Sequence, residues 1–457
     1  MHFSALNLPA ADDPTDQVDY FANNGFGNAV AIVQQPAGEH HNGVTYVAYQ
    51  GPLEDPYVAA YHHETGEWQG PFKAGESVMG KAPDRPKPID NHGKPALVID
   101  DEGYLHLAFG GHGGMPHHGK NPLGNIHYGE MRHVVSKRPL DISSWELLDN
   151  VSVFGTYNQW VKMDNGDLYL FYRHGAHRSD WVYQKSTDNG RTFAPPVSFL
   201  KHRRRSDVAA VDSWYPWVGR GEGDDIIVVY DYHLCWDVDS GRRGHGHTTE
   251  RRNAYYMVMD TKSGVWRNVQ GETLSMPIVK DYADEKTLAV TTGDLLWTFN
   301  GAAKLDPASH PHFTTSIGPM DWSKFGGSKL TTHFRWTGQE WSGNLATGMP
   351  RGGGDMLISS SEDVRIFLGG RDAGNDGSVA IWRSKDGGDS FIREKVLLHR
   401  PGSGMAISSM IKNAHPDARV IAAEIPSGTD YRRMYLIGDN GPIPRAKRAA
   451  SVLVRVE

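Results

Sequence analysis

The chain has 457 residues, of which 39% are hydrophobic and 22% charged, and its formal net charge of −7 is typical of a soluble globular protein rather than of a nucleic-acid-binding one. No apolar run approaches the roughly 20 residues that a membrane-spanning helix needs. The single cysteine, Cys235, excludes an internal disulfide. The N-terminus shows no basic segment followed by an apolar one, so no signal peptide is predicted from it.

A turn residue followed by an alternating strand of β-branched and aromatic residues recurs along the chain, at steps of about 56 to 70 residues. The seven copies begin at Gly43, Gly103, Gly166, Asp225, Gly293, Asp363 and Arg419. A second strand ending in a polar turn follows each copy, and these begin at Tyr57, Gly124, Trp181, Ala254, His333, Ser378 and Tyr431. No segment with helical periodicity lies between the copies.

Two of the polar turns fit the Asp-box hairpin, S-x-D-x-G-x-x-F. Its residues are Ser186, Asp188, Gly190 and Phe193 in one turn, and Ser384, Asp386, Gly388 and Phe391 in the other. The Asp side chain can bind the amides of the turn while Gly adopts the positive φ. Asp boxes occur in propellers of many functions, so they indicate architecture and not activity.

Seven units of four strands, closed into a ring, leave no long exposed sheet edge. The sequence therefore predicts an all-β fold, a seven-bladed β-propeller with four antiparallel strands per blade, forming a single domain over residues 1–457. The last segment, "ASVLVRVE", is expected to pair with N-terminal residues and close the ring. Rings of six or eight blades are the alternatives.

Polar side chains flank the recurring strands of three consecutive blades. The first two strands of a propeller blade run in opposite directions, so the start of one and the end of the next open on the same face. We expect this face to carry His92, His112, Tyr157, Arg173, His174, His177, Tyr215 and His233. The set is rich in imidazole, phenol and guanidinium groups and has no conspicuous carboxylate pair.

These groups suit β-elimination of a polymer that contains uronic acid. Removing the proton next to the carboxylate puts a second negative charge on that group, and a fixed cation such as Arg173 stabilises it. A base must take the C5 proton, and an acid must protonate the departing glycosidic oxygen. Neutral His can do both, as can Tyr where positive charge nearby lowers its pKa. Glycosidases instead need two carboxyl groups.

Other interpretations stay open. Any one of these His and Tyr residues can simply cap a turn, and Arg173 can be a structural ion-pair partner. His106 and His127 are assigned to packing inside strands. A sialidase-like glycoside hydrolase is suggested by the Asp boxes but needs an arginine triad and a Tyr/Glu pair. A non-catalytic carbohydrate-binding propeller would bind sugars through aromatic platforms, and the 13 Trp residues of the chain could form them.

At these residues the sequence resembles the ulvan lyases, polysaccharide lyases with a seven-bladed propeller fold. The resemblance covers most of the chain and depends on the ordered set His92, His112, Tyr157, Arg173 and Tyr215. It implies cleavage between sulfated rhamnose and glucuronate or iduronate, which leaves an unsaturated uronate. It also implies that His92 and Tyr157 are the acid/base pair and that Arg173, with His112 and Tyr215, neutralises the carboxylate. Which of the pair takes the proton is left open.

A structural zinc site is expected around the lone cysteine. His233 and Cys235 are two positions apart, so on an extended segment they point to one face, and zinc takes imidazole and thiolate together. His177 and His247 would complete four ligands, and the resembled family carries a structural zinc at the matching positions. His245 is the alternative last ligand, and a buried, inert Cys235 is the alternative to the metal.

The resemblance also implies the partner, an anionic sulfated polysaccharide, ulvan, with no nucleic acid and no membrane. Arg178 and Arg204 are the candidates for binding sulfate. The size of the polymer and the resemblance indicate a secreted or periplasmic protein, and we expect a monomer. The preference between glucuronate and iduronate is left open.

Overall fold

Short segments of alternating residues form seven antiparallel sheets arranged as the blades of a ring, so the predicted seven-bladed propeller is confirmed. The computed structural model describes residues 16–447 except 80, 82–88, 91, 238–249, 295 and 321–326. In blades 1 to 6 the main strands pair in chain order. The first strands contact those of the neighbouring blades and therefore line the centre of the ring.

The strands of the first three blades follow in chain order. Blade 1 consists of Gly38–His41, Val44–Gln50, Pro56–His62 and Glu67–Lys73. Blade 2 consists of Ala96–Ile99, Leu105–His112, Tyr128–Ser136 and Trp145–Leu148. Blade 3 consists of Gly155–Lys162, Leu168–His174, Trp181–Ser186 and Val197–Leu200.

Blade 4 has longer strands and two short additions. Its main strands are Ala210–Arg220, Asp225–Trp236, Glu250–Asp260 and Trp266–Arg267, and the additions are Arg203–Arg204 and Leu288–Val290. Blade 5 consists of Leu296–Leu305, Pro311–Pro319, Leu330–Trp336 and Trp341–Asn344. Blade 6 consists of Gly352–Ile358, Val364–Arg371, Gly377–Ser384 and Ile392–Arg400. Among the described residues, the helical segments include the α-helix Lys280–Lys286 and the 3₁₀ turns Pro52–Glu54 and Pro116–His118. No helix in the described part of the chain is long and apolar enough to cross a membrane.

Blade 7 is built from both ends of the chain. Its inner strands are Gly404–Ile407, Val420–Ile425 and Tyr431–Gly438, the last also pairing with Gly441–Pro442. Its outer strand is the N-terminal segment Ala22–Phe26. Beyond it, Gln17–Val18 pairs with Arg445–Ala446. The segment predicted to close the ring, residues 450–457, lies outside the described residues.

The expected repeat is shifted in one blade. The segment from Gly293 contributes the first strand of blade 5 and not the second, which is Pro311–Pro319. That second strand escaped notice because its centre, "FTTSI", has three consecutive polar or small residues where the other copies are apolar. In blade 2 the third strand begins at Tyr128 and not at Gly124.

Both Asp boxes form as predicted, each at the turn after the third strand of its blade. In blade 3 the Ser186 hydroxyl donates to the Asp188 carboxylate (2.8 Å) and accepts from the Gly190 amide (2.9 Å). Gly190 has a φ of 73°. These turns lie on the face opposite the ends that carry the predicted reactive side chains, so they stabilise the fold and take no part in the site.

An N-terminal segment, residues 29–36, fills the centre of the ring and is called the axial segment below. The Gln35 amide donates to the Asn158 carbonyl (3.2 Å), and the Trp160 amide donates to the Gln35 carbonyl (2.8 Å). On the other side of the axis, the Ser409 hydroxyl donates to the Ile32 carbonyl (2.8 Å). The segment thereby ties blade 3 to blade 7 and obstructs the central channel.

Candidate active site

Three neighbouring blades bring the predicted reactive side chains to one end of the ring. In blades 2 to 4 the first and second strands are antiparallel, so the start of one lies beside the end of the next. All five predicted residues, His92, His112, Tyr157, Arg173 and Tyr215, meet there. The ring centroid of Tyr157 lies 5.4 Å from that of His92 and 5.6 Å from that of Tyr215.

Asp90 holds the two histidines, and the sequence pattern did not single it out. Its carboxylate accepts hydrogen bonds from Nδ1 of His92 and from Nδ1 of His112, the latter at 3.0 Å. The two imidazoles stack with ring centroids 3.7 Å apart. Because Nδ1 of His92 carries its proton towards Asp90, Nε2 of His92 keeps a lone pair.

The electrostatics keep both imidazoles neutral at neutral pH. Burial lowers the pKa of His92 by more than the hydrogen bond to Asp90 raises it. Burial also lowers the pKa of His112, to about 3. Burial alone would raise the pKa of Asp90, but the hydrogen bonds from His112 and His92 outweigh it and hold that pKa well below its usual range. The result is a carboxylate that orients two uncharged imidazoles.

A bulge in the first strand of blade 3 turns Tyr157 towards the cleft. The pairing register shifts between Thr156 and Gln159, and Tyr157 has a φ of 60°, a conformation that side-chain-bearing residues rarely adopt. The Thr156 hydroxyl donates to the Gly175 carbonyl (2.8 Å), and the Asn158 side chain donates to the Lys94 carbonyl (3.1 Å). These contacts hold the strained turn in place, as is common at functional sites.

Tyr157 is a neutral phenol in this environment. Burial raises its pKa well above the usual range and Tyr215 adds to the rise, whereas the positive charges of Arg173 and Arg251 lower it. We expected nearby positive charge to make the pKa of this tyrosine low. The cations are present, but burial has the larger effect.

Arg173 is fully buried beneath the two tyrosines. Its Nη1 donates to the Tyr215 hydroxyl (3.0 Å) and its Nε to the Gly175 carbonyl (3.2 Å), and its guanidinium carbon lies 4.9 Å from the Tyr157 ring centroid. Among the described residues no carboxylate pairs with Arg173, and its Nη2 has no hydrogen-bond partner. A role as a structural ion-pair partner is therefore not supported, and a cation remains available for an anionic ligand.

Arg251 is a second guanidinium at the site that the sequence pattern did not reveal. It lies on the third strand of blade 4 and is 7% exposed. Its guanidinium carbon lies 3.8 Å from the ring centroid of Tyr215 and 4.5 Å from that of Phe299. Its nearest carboxylate is that of Asp231, 3.8 Å from Nη1, and Nε has no hydrogen-bond partner in the described part of the chain.

Of the five residues, His92, Tyr157 and Tyr215 line a cleft of about 770 Å³ over the centre of the ring. His112 and Arg173 are buried behind this lining. Its floor is the axial segment, and its far wall is formed by blades 5 to 7, where Gly352–Ile358 begins with three glycines. Four cationic side chains line it, and the described lining contains no Asp or Glu; the cations are Lys94, Arg251, Arg351 and Arg371. The cleft therefore favours an anionic ligand.

Two further residues of the cleft lie near His92. Gln34, in the axial segment, donates its side-chain amide to the His92 carbonyl (2.6 Å). Lys94 is 3% exposed, and burial lowers its pKa to about 8 even though Glu54 and Asp90 raise it. Neither residue belongs to a motif that sequence alone could identify.

The predicted zinc ligands lie behind Arg173. His233 and Cys235 are buried two positions apart on the second strand of blade 4, and the ring centroid of His177 is 5.9 Å from that of His233. Nδ1 of His177 lies 3.1 Å from the Tyr215 hydroxyl. His247 and its alternative, His245, lie outside the described residues.

Two imidazoles and a thiol that adjoin on neighbouring blades fit zinc by donor type. Burial raises the pKa of the Cys235 thiol, so a thiolate there needs a cation beside it. The ligand atoms of His177, His233 and Cys235 are not all within 4.8 Å of one another, a spacing that four other groups among the described residues reach. Zinc at this place therefore stays a prediction.

The structure gives the remaining histidines clear places. His106 is packed as expected, with Nδ1 2.9 Å from Nε2 of His133. His127 is not in a strand, contrary to the packing assignment: it is exposed in a loop, and its ring stacks on His112 with centroids 4.4 Å apart. His174 has both ring nitrogens engaged, with Asn121 (2.8 Å) and Ser152 (2.9 Å), so it has a structural role.

The two arginines predicted to bind sulfate are occupied elsewhere. Arg178 and Arg204 both pair with the Asp237 carboxylate, at 2.8 Å and 2.7 Å. Neither lines the cleft. Their assignment to sulfate stays a prediction, and the arginines that do line the cleft are better placed for it.

Comparison with known proteins identifies the family of the chain. A protein-family model described as "BNR repeat-containing family member" matches residues 44–345, which is more than half of the chain. The ulvan lyase of Nonlabens ulvanivorans is 60% identical over 437 residues, which cover 96% of this chain and 92% of that protein. The ulvan lyase of Alteromonas sp. (strain LOR) is 53% identical over 438 residues, covering 95% and 90%.

Solved structures give the same result. A polysaccharide lyase of family PL25, an ulvan lyase, superposes with a TM-score of 0.91 at 54% identity, covering 95% of this chain and 99% of that one. A structure of PL25 ulvan lyase bound to -[GlcA(1-4)Rha3S]- matches equally well. The polysaccharide lyase Uly1, at 16% identity and a TM-score of 0.59, shares the fold. With more than half of its residues identical to the ulvan lyases of Nonlabens ulvanivorans, of Alteromonas sp. (strain LOR) and of family PL25 over nearly its whole length, the chain belongs to the ulvan lyase family.

Proposed function

We propose that this protein is a polysaccharide lyase that cleaves ulvan between sulfated rhamnose and glucuronate or iduronate by β-elimination. The observation that carries the proposal is the meeting of a neutral imidazole and a neutral phenol in one cationic cleft. Beneath them lies the buried guanidinium of Arg173, with which no carboxylate among the described residues forms an ion pair. The PL25 relative bound to a glucuronate–rhamnose sulfate fragment supports the substrate class.

Arg173 is the proposed cation for the uronate carboxylate. The carbanion-like state that follows loss of the C5 proton spreads its charge onto that carboxylate, so a fixed buried cation stabilises the transition state more than the ground state. The Tyr215 hydroxyl accepts from Arg173, which fixes the guanidinium beneath the cleft. His112 stacks on His92 and also donates to the Asp90 carboxylate that holds His92. These two contacts keep the His92 ring in position.

His92 is the proposed base and Tyr157 the proposed acid. The C5–H bond breaks and its proton goes to Nε2 of His92. Its electron pair becomes the C4–C5 double bond, the C4–O bond breaks, and the leaving oxygen takes the Tyr157 proton. The lowered pKa of His92 keeps the base unprotonated at neutral pH, and the raised pKa of Tyr157 keeps the acid protonated, so both groups start in the state that their roles need. Proton exchange with solvent restores both groups.

The composition of the cleft disfavours both rival functions. A sialidase-like hydrolase needs a Tyr/Glu pair, and most other glycoside hydrolases need two carboxyl groups beside the scissile bond. No Asp or Glu lines the described part of the cleft. A simple binding module has no need of a strained tyrosine or of two histidines oriented by a buried carboxylate. The lyase uses each of these features.

Three further elements belong to the proposal. Arg251 and Arg351 line the cleft and are suited to the sulfate groups of the polymer. Zinc held by His177, His233 and Cys235, with His247, would brace the loop behind Arg173 and supply no chemistry to the substrate, because four protein ligands leave no open position. Since ulvan is too large to enter a cell, the proposed place of action is outside the cytoplasm.

Incubation with ulvan tests the proposal. A lyase produces a conjugated, ultraviolet-absorbing uronate, a hydrolase releases reducing ends without that absorbance, and a binding module does neither. Tyr157→Phe and His92→Ala are each expected to lose nearly all turnover with the melting temperature retained. Wild-type rates in either variant would contradict the assigned roles.

A further inference from the structure

A second cluster of metal-ligating side chains lies on the face opposite the cleft, where blade 1 meets blade 7. His40 is in the first strand of blade 1, and His63 follows the third strand of that blade. His415 and Asp417 lie in the loop between the first and second strands of blade 7. None of the four contributes to the reactive site.

The geometry of the cluster is tight. His63, His415 and Asp417 each offer a ligand atom within 4.8 Å of the other two. The ring centroids of His63 and His415 are 3.9 Å apart, and that of His40 is 5.1 Å from the first and 5.4 Å from the second. Nδ1 of His415 lies 3.6 Å from the Asp417 carboxylate.

The hydroxyl of Thr45 orients two of the imidazoles. It lies 2.8 Å from Nε2 of His63 and 3.0 Å from Nδ1 of His40. A hydroxyl has one proton, so it donates to one ring and accepts from the other. When Nε2–H of His63 donates to Thr45 and Thr45 donates to His40, Nδ1 of His63 keeps a lone pair. Histidines that bind metals are usually oriented in this way through their other nitrogen.

We propose that His63, His415 and Asp417, supported by His40 and Thr45, form a binding site for a divalent transition-metal ion of the zinc class. Two imidazoles and one carboxylate suit zinc, cobalt or nickel, whereas magnesium and calcium prefer oxygen ligands alone. Water completes the coordination.

The site would clamp the ring at its seam. Blade 1 and blade 7 are joined here by the amide of His40 donating to the Lys412 carbonyl (2.9 Å) and the amide of Lys412 donating to the Gly38 carbonyl (3.0 Å). An ion pair between Lys412 and Glu39 (3.0 Å) adds to them. A metal bound by His63 from one blade and His415 and Asp417 from the other stabilises the closed ring by binding the folded state.

Metal counting in variants tests the site. Full-length protein is stripped with a chelator, dialysed against Co²⁺ or Zn²⁺ and assayed for bound metal by mass spectrometry. His415→Ala and Asp417→Asn are expected to bind one equivalent less than the wild type. The matched control is His41→Ala: this neighbouring histidine contacts Asn42 (3.0 Å) and does not belong to the cluster. An ion bound at Cys235 does not affect the comparison, because that site is the same in the wild type and in all the variants. With Co²⁺ the site at Cys235 can also be followed separately, since only a thiolate ligand gives a sulfur-to-cobalt charge-transfer band.

Thermal unfolding gives a second readout. Added metal is expected to raise the melting temperature of the wild type and of His41→Ala by more than that of Asp417→Asn, in which only the site at Cys235 remains to bind it. The activity on ulvan should be the same in all of them, because the cluster lies on the other face. Equal metal content in the wild type and both cluster variants would overturn the proposal, as would an equal rise in melting temperature.

Discussion

Replacing Asp90 by Asn separates the orienting carboxylate from the groups that touch substrate. Asp90 accepts from Nδ1 of both His92 and His112. An Asn side chain has the same size but offers one oxygen acceptor and one NH₂ donor. At least one imidazole then faces a donor. For His92 the remaining acceptor is the Asp90 backbone carbonyl, 2.9 Å from Nδ1, and the negative charge that raises the pKa of this ring is lost. The proposed base is therefore less firmly oriented and less basic.

The expected loss follows from that change. General base catalysis contributes about 10²- to 10⁴-fold to a rate, which corresponds to about 3 to 5 kcal/mol of barrier. The fall should appear in kcat more than in KM, because Asp90 lies behind the histidines and does not line the cleft. Initial rates of ultraviolet absorbance on ulvan, over a range of substrate concentrations, measure both quantities.

Asp100→Asn is the matched control. Asp100 is also buried and lies in the same blade, and its carboxylate is 3.2 Å from Nε2 of His106, but neither residue lines the cleft. We expect Asp100→Asn to lower the melting temperature and leave kcat unchanged. If Asp90→Asn keeps kcat within about threefold of wild type, a change of less than 1 kcal/mol, the assignment of His92 as an oriented base is wrong.

Three further outcomes are expected. Arg251→Gln should lose about 10- to 100-fold in kcat/KM on ulvan, the equivalent of one hydrogen bond between charged groups; a change below twofold would remove Arg251 from the substrate site. Cys235→Ala should lose bound zinc and lower the melting temperature, and unchanged metal content would contradict the zinc site. Stability to urea should fall between pH 7 and pH 5, because burial lowers the pKa values of His112 and His133 to about 3. Their pKa values are lower in the folded state than in the unfolded chain, so unfolding takes up protons below about pH 6.5. Between pH 7 and pH 5 this lowers the free energy of unfolding by about 2 kcal/mol for each imidazole, and equal stability at the two pH values would refute the reasoning.

The fold was largely predictable because alternation and Gly turns are local signals. The strands that escaped prediction lack them: Ala22–Phe26, "ANNGF", has no alternating apolar face, and it becomes a strand only because blade 7 offers an edge to pair with. The axial segment likewise has no pattern of its own, and the ring around it determines its path.

The site was predictable to the extent that its residues stand at equivalent ends of repeated strands. His92, Tyr157 and Arg173 do, and the structure brings them together. Arg251 could not be found in this way, because it lies on a third strand and reaches Tyr215 only through the register of blade 4. The place of His127 was misjudged because the third strand of its blade begins one residue after it.

The pairing of Gln17–Val18 with Arg445–Ala446 has a consequence for engineering. With the first and last described strands side by side, a short peptide could join the two ends, and new termini could be opened at an exposed turn elsewhere. Circular permutants of this kind would place the covalent break in another blade while every strand keeps its neighbours.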